Sequence, residues 1–209
     1  MTAFQEVEYV TGQNYDRRAF DALQCITVVP GATGAWRKQK VIEIGGYSSD
    51  TLVEDADLTL TMLEHGGRIV YAPDARSVTE APETVSALFK QRFRWSYGTF
   101  QCFWKHRGTF GRGPLGIIAL PNMIFSQVIF NILSPIGDVV LIFSLFFGDM
   151  QMIATAYLMF FVMDMAATGT AYALDKRSIR HAWVIVIQRF FYRQFMYFVT
   201  FKSLLAALR

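Results

Sequence analysis

Between residues 113 and 174 the chain carries no lysine or arginine, and its only acids there are Asp138, Asp149 and Asp164. A stretch so poor in charge cannot present an ordinary wet surface, and runs of about 20 apolar residues are what a bilayer-crossing helix needs. The flanks differ sharply. Residues 1–112 hold 13 basic and 13 acidic side chains, whereas 175–209 hold seven bases against the single acid Asp175. The whole chain is 53% hydrophobic and 18% charged, which excludes a disordered polymer. Its formal net charge of +3 is too small to argue for a nucleic-acid partner.

From Leu115 to Phe147 the polar residues are Asn122, Ser126, Gln127, Asn131, Ser134, Asp138 and Ser144, with Pro121 and Pro135 as breaks. We expect spans at about 128–148, 150–174 and 182–208, the part before 128 lying at the interface. Gln188, Arg189, Arg193 and Gln194 make the third span costly unless they face protein, water or headgroups, so a re-entrant helix is the alternative. Gly148-Asp149 has no base and 175–180 has three, which by the positive-inside rule puts the latter, and the polar half, in the cytoplasm. The first 21 residues do not read as a signal peptide. Cys25 and Cys102 have neither disulfide-framework nor metal spacing, which suits a reducing compartment.

Within 1–112 the punctuation of apolar runs predicts mixed α/β structure. Phe4 to Leu23 reads as two short amphipathic helices interrupted at Gly12 and Asn14-Tyr15-Asp16. Residues 25–29 read as a buried strand closed by Pro30-Gly31, and Arg37 to Glu43 as a short helix stopped at Gly45-Gly46. Glu54, Asp55 and Asp57 open a helix that ends at Gly66-Gly67. Residues 68–72 and 77–80 read as strands. Pro82 then starts a helix running through Gln91-Arg92-Phe93-Arg94-Trp95 to about Lys105.

Two motifs stand out. Val53-Glu54-Asp55 precedes Gln91-x-x-Arg94-Trp95, and membrane spans follow. In this order they resemble the carboxyl-terminal portion of processive family 2 glycosyltransferases, the membrane synthases of cellulose, chitin, hyaluronan and poly-N-acetylglucosamine. The resemblance extends over nearly the whole chain. It implies a carboxyl-terminal part of an α/β GT-A type domain at 1–112, followed by interfacial and transmembrane α-helices at 113–209. Val53-Glu54-Asp55 matches the family's Thr-Glu-Asp, with Asp55 as catalytic base, Glu54 beside it, and a hydroxyl missing at Val53. A carboxylate suits the task, because an attacking sugar hydroxyl must lose its proton. Gln91 and Arg94 would offer donors and a cation to the departing pyrophosphate, and Trp95 a face for the acceptor sugar. Gly31 to Trp36, with Gly34 in it, looks like the family's small-residue turn that lets the acceptor approach, the alternative being an ordinary strand-to-helix turn.

Plainer roles compete with these. Acids at a helix start favour its dipole, which is as good an account of Glu54 and Asp57 as chemistry is. Lys90, Arg92 and Phe93 fit an interfacial helix facing lipid phosphates. His65, His106 and His181 stand alone and are expected at solvated or interfacial positions.

The resemblance further implies a UDP-sugar donor, N-acetylglucosamine by the wording of 26–31 and 80–83, and a growing β-linked polysaccharide in a bacterial inner membrane. Mg2+ or Mn2+ would be held by an Asp and an Asp-x-Asp upstream of the base. Neither motif occurs here, since Asp55-Ala56-Asp57 occupies the base position. We therefore expect a fragment that is inactive alone. The alternatives are a non-catalytic membrane subunit and a transferase acting on a lipid carrier.

Overall fold

The computed structural model describes residues 2–148, 150–179, 183, 184 and 191–208. Helices dominate. α1 (Thr2–Tyr9) passes through a π-helical segment, Val10–Tyr15, directly into α2 (Asp16–Ala22). The two expected helices are thus one rod. Gly12 and Asn14 widen its hydrogen-bond register without breaking it, the usual form of a π-bulge.

α3 (Lys38–Glu43) stops where Gly45 and Gly46 take φ of 90° and 80°, a region closed to most side chains. α4 (Glu54–Glu64) ends before Gly66, at φ 73°. α5 (Val85–Lys105) starts later than expected: Thr84, and not Pro82, caps it, its hydroxyl accepting the Ala87 N–H at 3.1 Å.

No β-strand occurs among the described residues, and 25–29, 68–72 and 77–80 are irregular. A strand exists only by its ladder, and these segments find no neighbour to pair with. The Val29 N–H instead donates to Thr59 Oγ1 on α4 at 2.9 Å.

Residues 113–147 wind continuously. The π-helical segment Leu115–Ala119 leads into α6 (Leu120–Ile124), a second π-helical segment, Phe125–Ile129, and α7 (Phe130–Phe147). α8 (Met150–Leu174) follows after Gly148. By length and composition Leu115–Leu133 and Met150–Leu174 can each cross a membrane. The first candidate thus begins in the stretch assigned above to the interface. The third expected span lies partly outside the described residues. Its described remainder is α9 (Tyr192–Ala207), which packs along α5.

Two hydrophobic clusters organise the molecule. One joins Cys25, Val53, Ala56, Leu60 and Cys102 to Leu115, Ala119, Leu120 and Met123, so the polar half and the first apolar helix share a core. The other packs Val7 and Val10 against Ala171 and Tyr172 at the end of α8. Asp175, just past α8, accepts an ion pair from Arg76 at 2.8 Å. The start of the apolar stretch and the end of α8 therefore meet the same polar body. The faces between them leave Phe143, Phe146, Phe147, Leu158, Phe160 and Val162 exposed, as a lipid-facing hairpin would.

Candidate active site

Asp55 lies in the first turn of α4, facing the turn that closes residues 25–30. Its Oδ2 accepts the Gly31 N–H at 2.9 Å, and its Oδ1 accepts the Ala56 N–H at 2.8 Å. The close approach needs little bulk at Gly31, where a Cβ would stand 3.7 Å from Asp55 Oδ2. An ionised carboxylate has roughly four acceptor sites, so two bonds leave capacity for an incoming hydroxyl. Arg17 lies within electrostatic reach: burial pushes its guanidinium down to about 10, against the opposing pull of Asp16, Asp55 and Tyr71. Glu54 is exposed to solvent.

Val53 explains its own departure from the hydroxyl residue expected there. It is buried against α5 at Gly98, where an added Cβ would sit 2.6 Å from both Val53 methyl carbons. The Leu52 N–H donates to Gln101 Oε1 at 2.9 Å on the same helix. The segment leading into α4, its first turn with Asp55, and α5 are thereby locked together, and Trp95 packs against the cluster that contains Val53 and Ala56.

On α5, Trp95 is half-buried and Arg94 exposed, while Gln91 has a buried Oε1 without a hydrogen-bond partner among the described residues. Arg92 departs from the lipid-facing position expected of it. Its side chain is 2% exposed, its Nη2 pairs with Glu8 Oε2 at 2.6 Å, and its guanidinium lies 4.3 Å over the Trp95 ring. Buried guanidinium needs a paired carboxylate, and Glu8 supplies it from α1. Tyr192 also donates to Glu8 Oε2, at 2.8 Å. Burial raises the Glu8 carboxyl, with Arg92 and Tyr192 pulling the other way. Phe93 stacks between Phe89 and Tyr97 along the helix, with ring centroids 6.3 and 6.1 Å away, and Lys90 is exposed. Gly34 is exposed, and its backbone lies so close to Val29 that a Cβ would meet Val29 Cγ1 at 2.6 Å.

The histidines divide. His65 is exposed, as expected, and His181 lies outside the described residues. His106 is a correction: it is buried, with Nε2 2.8 Å from Asp57 Oδ1 and Nδ1 2.9 Å from Glu64 Oε2. Lys105 Nζ holds the other Asp57 oxygen at 2.8 Å and Asp50 at 2.9 Å. The only trace of this network in the sequence is Asp57 two residues past Asp55, because its partners lie almost fifty positions away.

No group of three or more metal-capable side chains occurs among the described residues. Asp55 and Asp57, despite their spacing, do not fit a divalent cation together. Asp57 is consumed by Lys105 and His106, while Asp55 bonds backbone on the other side of the helix.

Residues 2–168 match the family model described as glycosyl transferase family group 2. The chain belongs to this family. It is 31% identical over 105 residues to probable glucomannan 4-beta-mannosyltransferase 11 of Oryza sativa subsp. japonica, covering 50% of this chain and 18% of that one. It is 37% identical over 75 residues to glucomannan 4-beta-mannosyltransferase 1 of Cyamopsis tetragonoloba, 36% of this chain and 14% of the other. With probable glucomannan 4-beta-mannosyltransferase 3 of Arabidopsis thaliana it shares 40% over 68 residues, 32% and 12% of the two chains. The chain thus spans less than a fifth of the length of these curated relatives. No solved structure matches it.

Proposed function

We propose that this chain forms the acceptor-side, membrane-proximal part of an inverting polysaccharide synthase. The observation that supports this most is the Asp55 carboxylate, held against the Gly31 backbone on the same packed body as Trp95. As the acceptor hydroxyl oxygen attacks the anomeric carbon, Asp55 takes its proton, the bond to the nucleoside diphosphate breaks, and configuration inverts in one displacement. Arg94 and Gln91 serve the departing diphosphate, Trp95 the terminal acceptor sugar, and the turn at Gly34 lets the acceptor come near the backbone. Glu54, exposed next to the base, has a supporting role at most.

The donor metal, Mg2+ or Mn2+, belongs with residues outside this chain. The similarity to glucomannan 4-beta-mannosyltransferases favours a mannosyl donor over the N-acetylglucosamine that the local wording resembles. The two apolar helices favour a product delivered at a membrane, through which the growing polymer is carried outward. The polar body lies on its cytoplasmic side.

The test uses the full-length protein containing this chain, in its own membranes, supplied separately with labelled nucleotide-activated mannose and UDP-N-acetylglucosamine. One donor should give long polymer, and Asp55→Asn should abolish it while membrane insertion is retained. Normal polymer yield from that variant refutes the base assignment. Product one sugar long on a lipid marks a lipid-carrier transferase instead.

A further inference from the structure

We propose that His106 is a positioning residue for Asp55 and acts through Asp57; this rests on Asp55 being the base. Asp57 is 2% exposed, and a carboxylate so buried is tolerated only where bonded partners surround it. Those partners fix where the first turn of α4 sits. They come from the far end of α5 and the residue after it: Lys105 Nζ and His106 Nε2, each 2.8 Å from one Asp57 oxygen.

His106 is anchored in turn. Its Nδ1 lies 2.9 Å from Oε2 of Glu64, the last residue of α4, and Glu64 Oε1 accepts the Thr109 hydroxyl. One imidazole therefore ties the first turn of α4 to its last, and α4 cannot slide or rotate without stranding a buried charge. Each ring nitrogen thus faces one carboxylate, Nε2 toward Asp57 and Nδ1 toward Glu64. The charged groups around the ring are Asp57 and Glu64 from α4 and Lys105 from α5, with Asp50 behind Lys105.

Residues two positions apart on a helix are separated by about 200° around its axis. Asp57 is thus gripped on one side of α4 while Asp55 meets the Gly31 N–H on the other. The grip sets the direction in which the base points. Orientation of a reacting group is steeply rewarded, and a misplacement of about 1 Å can cost on the order of a hundredfold in rate.

Two amide substitutions in the full-length membrane enzyme separate positioning from mere support. His106→Gln carries its amide nitrogen out to where Nε2 sits and keeps the Asp57 bond. His106→Asn reaches only to where Nδ1 sits, keeping Glu64 and giving up Asp57. Kinetics with the accepted nucleotide sugar should show kcat about tenfold lower in His106→Asn with KM unchanged, and His106→Gln should restore kcat to within about threefold of wild type. Equal kcat in the two variants, or an effect confined to KM, overturns the proposal.

Asp55→Asn is measured alongside. Activity in that variant removes the base assignment, and the positioning role with it. An inactive Asp55→Asn together with wild-type kcat in His106→Asn removes the positioning role alone. Where His106→Asn fails to accumulate in the membrane, Lys105→Met takes its place, since it removes the other Asp57 partner from a partly exposed side chain. The same fall in kcat is expected there, and wild-type kcat overturns the proposal.

Discussion

Adding one methyl group at Gly98 should disturb both the stability of the protein and the placement of Asp55, the proposed base. In Gly98→Ala the new Cβ would arrive 2.6 Å from Val53 Cγ1 and Cγ2. Carbon atoms rest at about 3.5–4.0 Å, so the Val53 loop and α5 must part by about 1 Å. Overpacking of this kind costs about 1–3 kcal/mol. Alanine returns about 1 kcal/mol of that through its better helix propensity. The net loss is then about 0–2 kcal/mol, too broad to decide anything by itself.

The coupling with Val53 is sharper. Val53→Ala removes the two methyl carbons that the new Cβ strikes and leaves the Cβ of residue 53 at 3.1 Å, so the shift needed falls from about 1 Å to a few tenths of an ångström. Gly98→Ala should be destabilising in the parent and close to neutral in the Val53→Ala background, where only the 3.1 Å Cβ contact remains, a coupling of about 1–2 kcal/mol, within the range seen for residues in contact. Thermal unfolding of the purified, detergent-solubilised protein and its three variants closes the cycle. Because Asp55 follows Val53 by two residues, kcat should fall in the single variant Gly98→Ala and recover in the double. Additivity within about 0.5 kcal/mol would show that the two side chains do not meet as described.

Three further outcomes are expected. Arg92→Met should destabilise by about 3 kcal/mol, because it leaves Glu8 partly buried without its cation, and unfolding midpoints compared with Glu8→Gln/Arg92→Met should recover much of the loss. The raised Glu8 carboxyl contributes stability below its ordinary value of 4.5 that is lost as pH rises through the raised one; midpoints measured from pH 4 upward should fall more steeply in wild type than in Glu8→Gln. Burial, with Asp57 nearby, pushes the Cys102 thiol up to about 12, so maleimide at neutral pH should leave Cys102 unlabelled until denaturant is added.

The glycine stops of α3 and α4, the long α5 and the apolar stretch are legible in the sequence because each is set by local chemistry. The strands are not, because alternation and β-branching describe a segment willing to pair, and residues 25–29 give a backbone N–H to Thr59 instead. Asp55 can be named from its motif, but its bond to Gly31 depends on a turn 24 positions away. Arg92 misleads for a related reason. On a helix diagram it sits among lysine, arginine and aromatic neighbours that favour an interface, and nothing nearby announces Glu8, 84 residues earlier. His106 looks solvated for want of local partners. Long-range ion pairs have no periodicity, so they escape any reading that moves along the chain in windows.

Glu8 receives Arg92 from the middle of the chain and Tyr192, 184 positions away, on a single oxygen. A ribosome delivers these three in order, with the whole apolar hairpin between the second and the third. The carboxylate that pairs with the guanidinium over Trp95 therefore gains its Tyr192 hydrogen bond only after α8 has been made. Contacts so distant in sequence form late, since closing long loops is costly before they are rewarded. The Arg92–Glu8–Tyr192 cluster is in this sense a late lock, closed only when the apolar stretch between residues 113 and 174 has already been made.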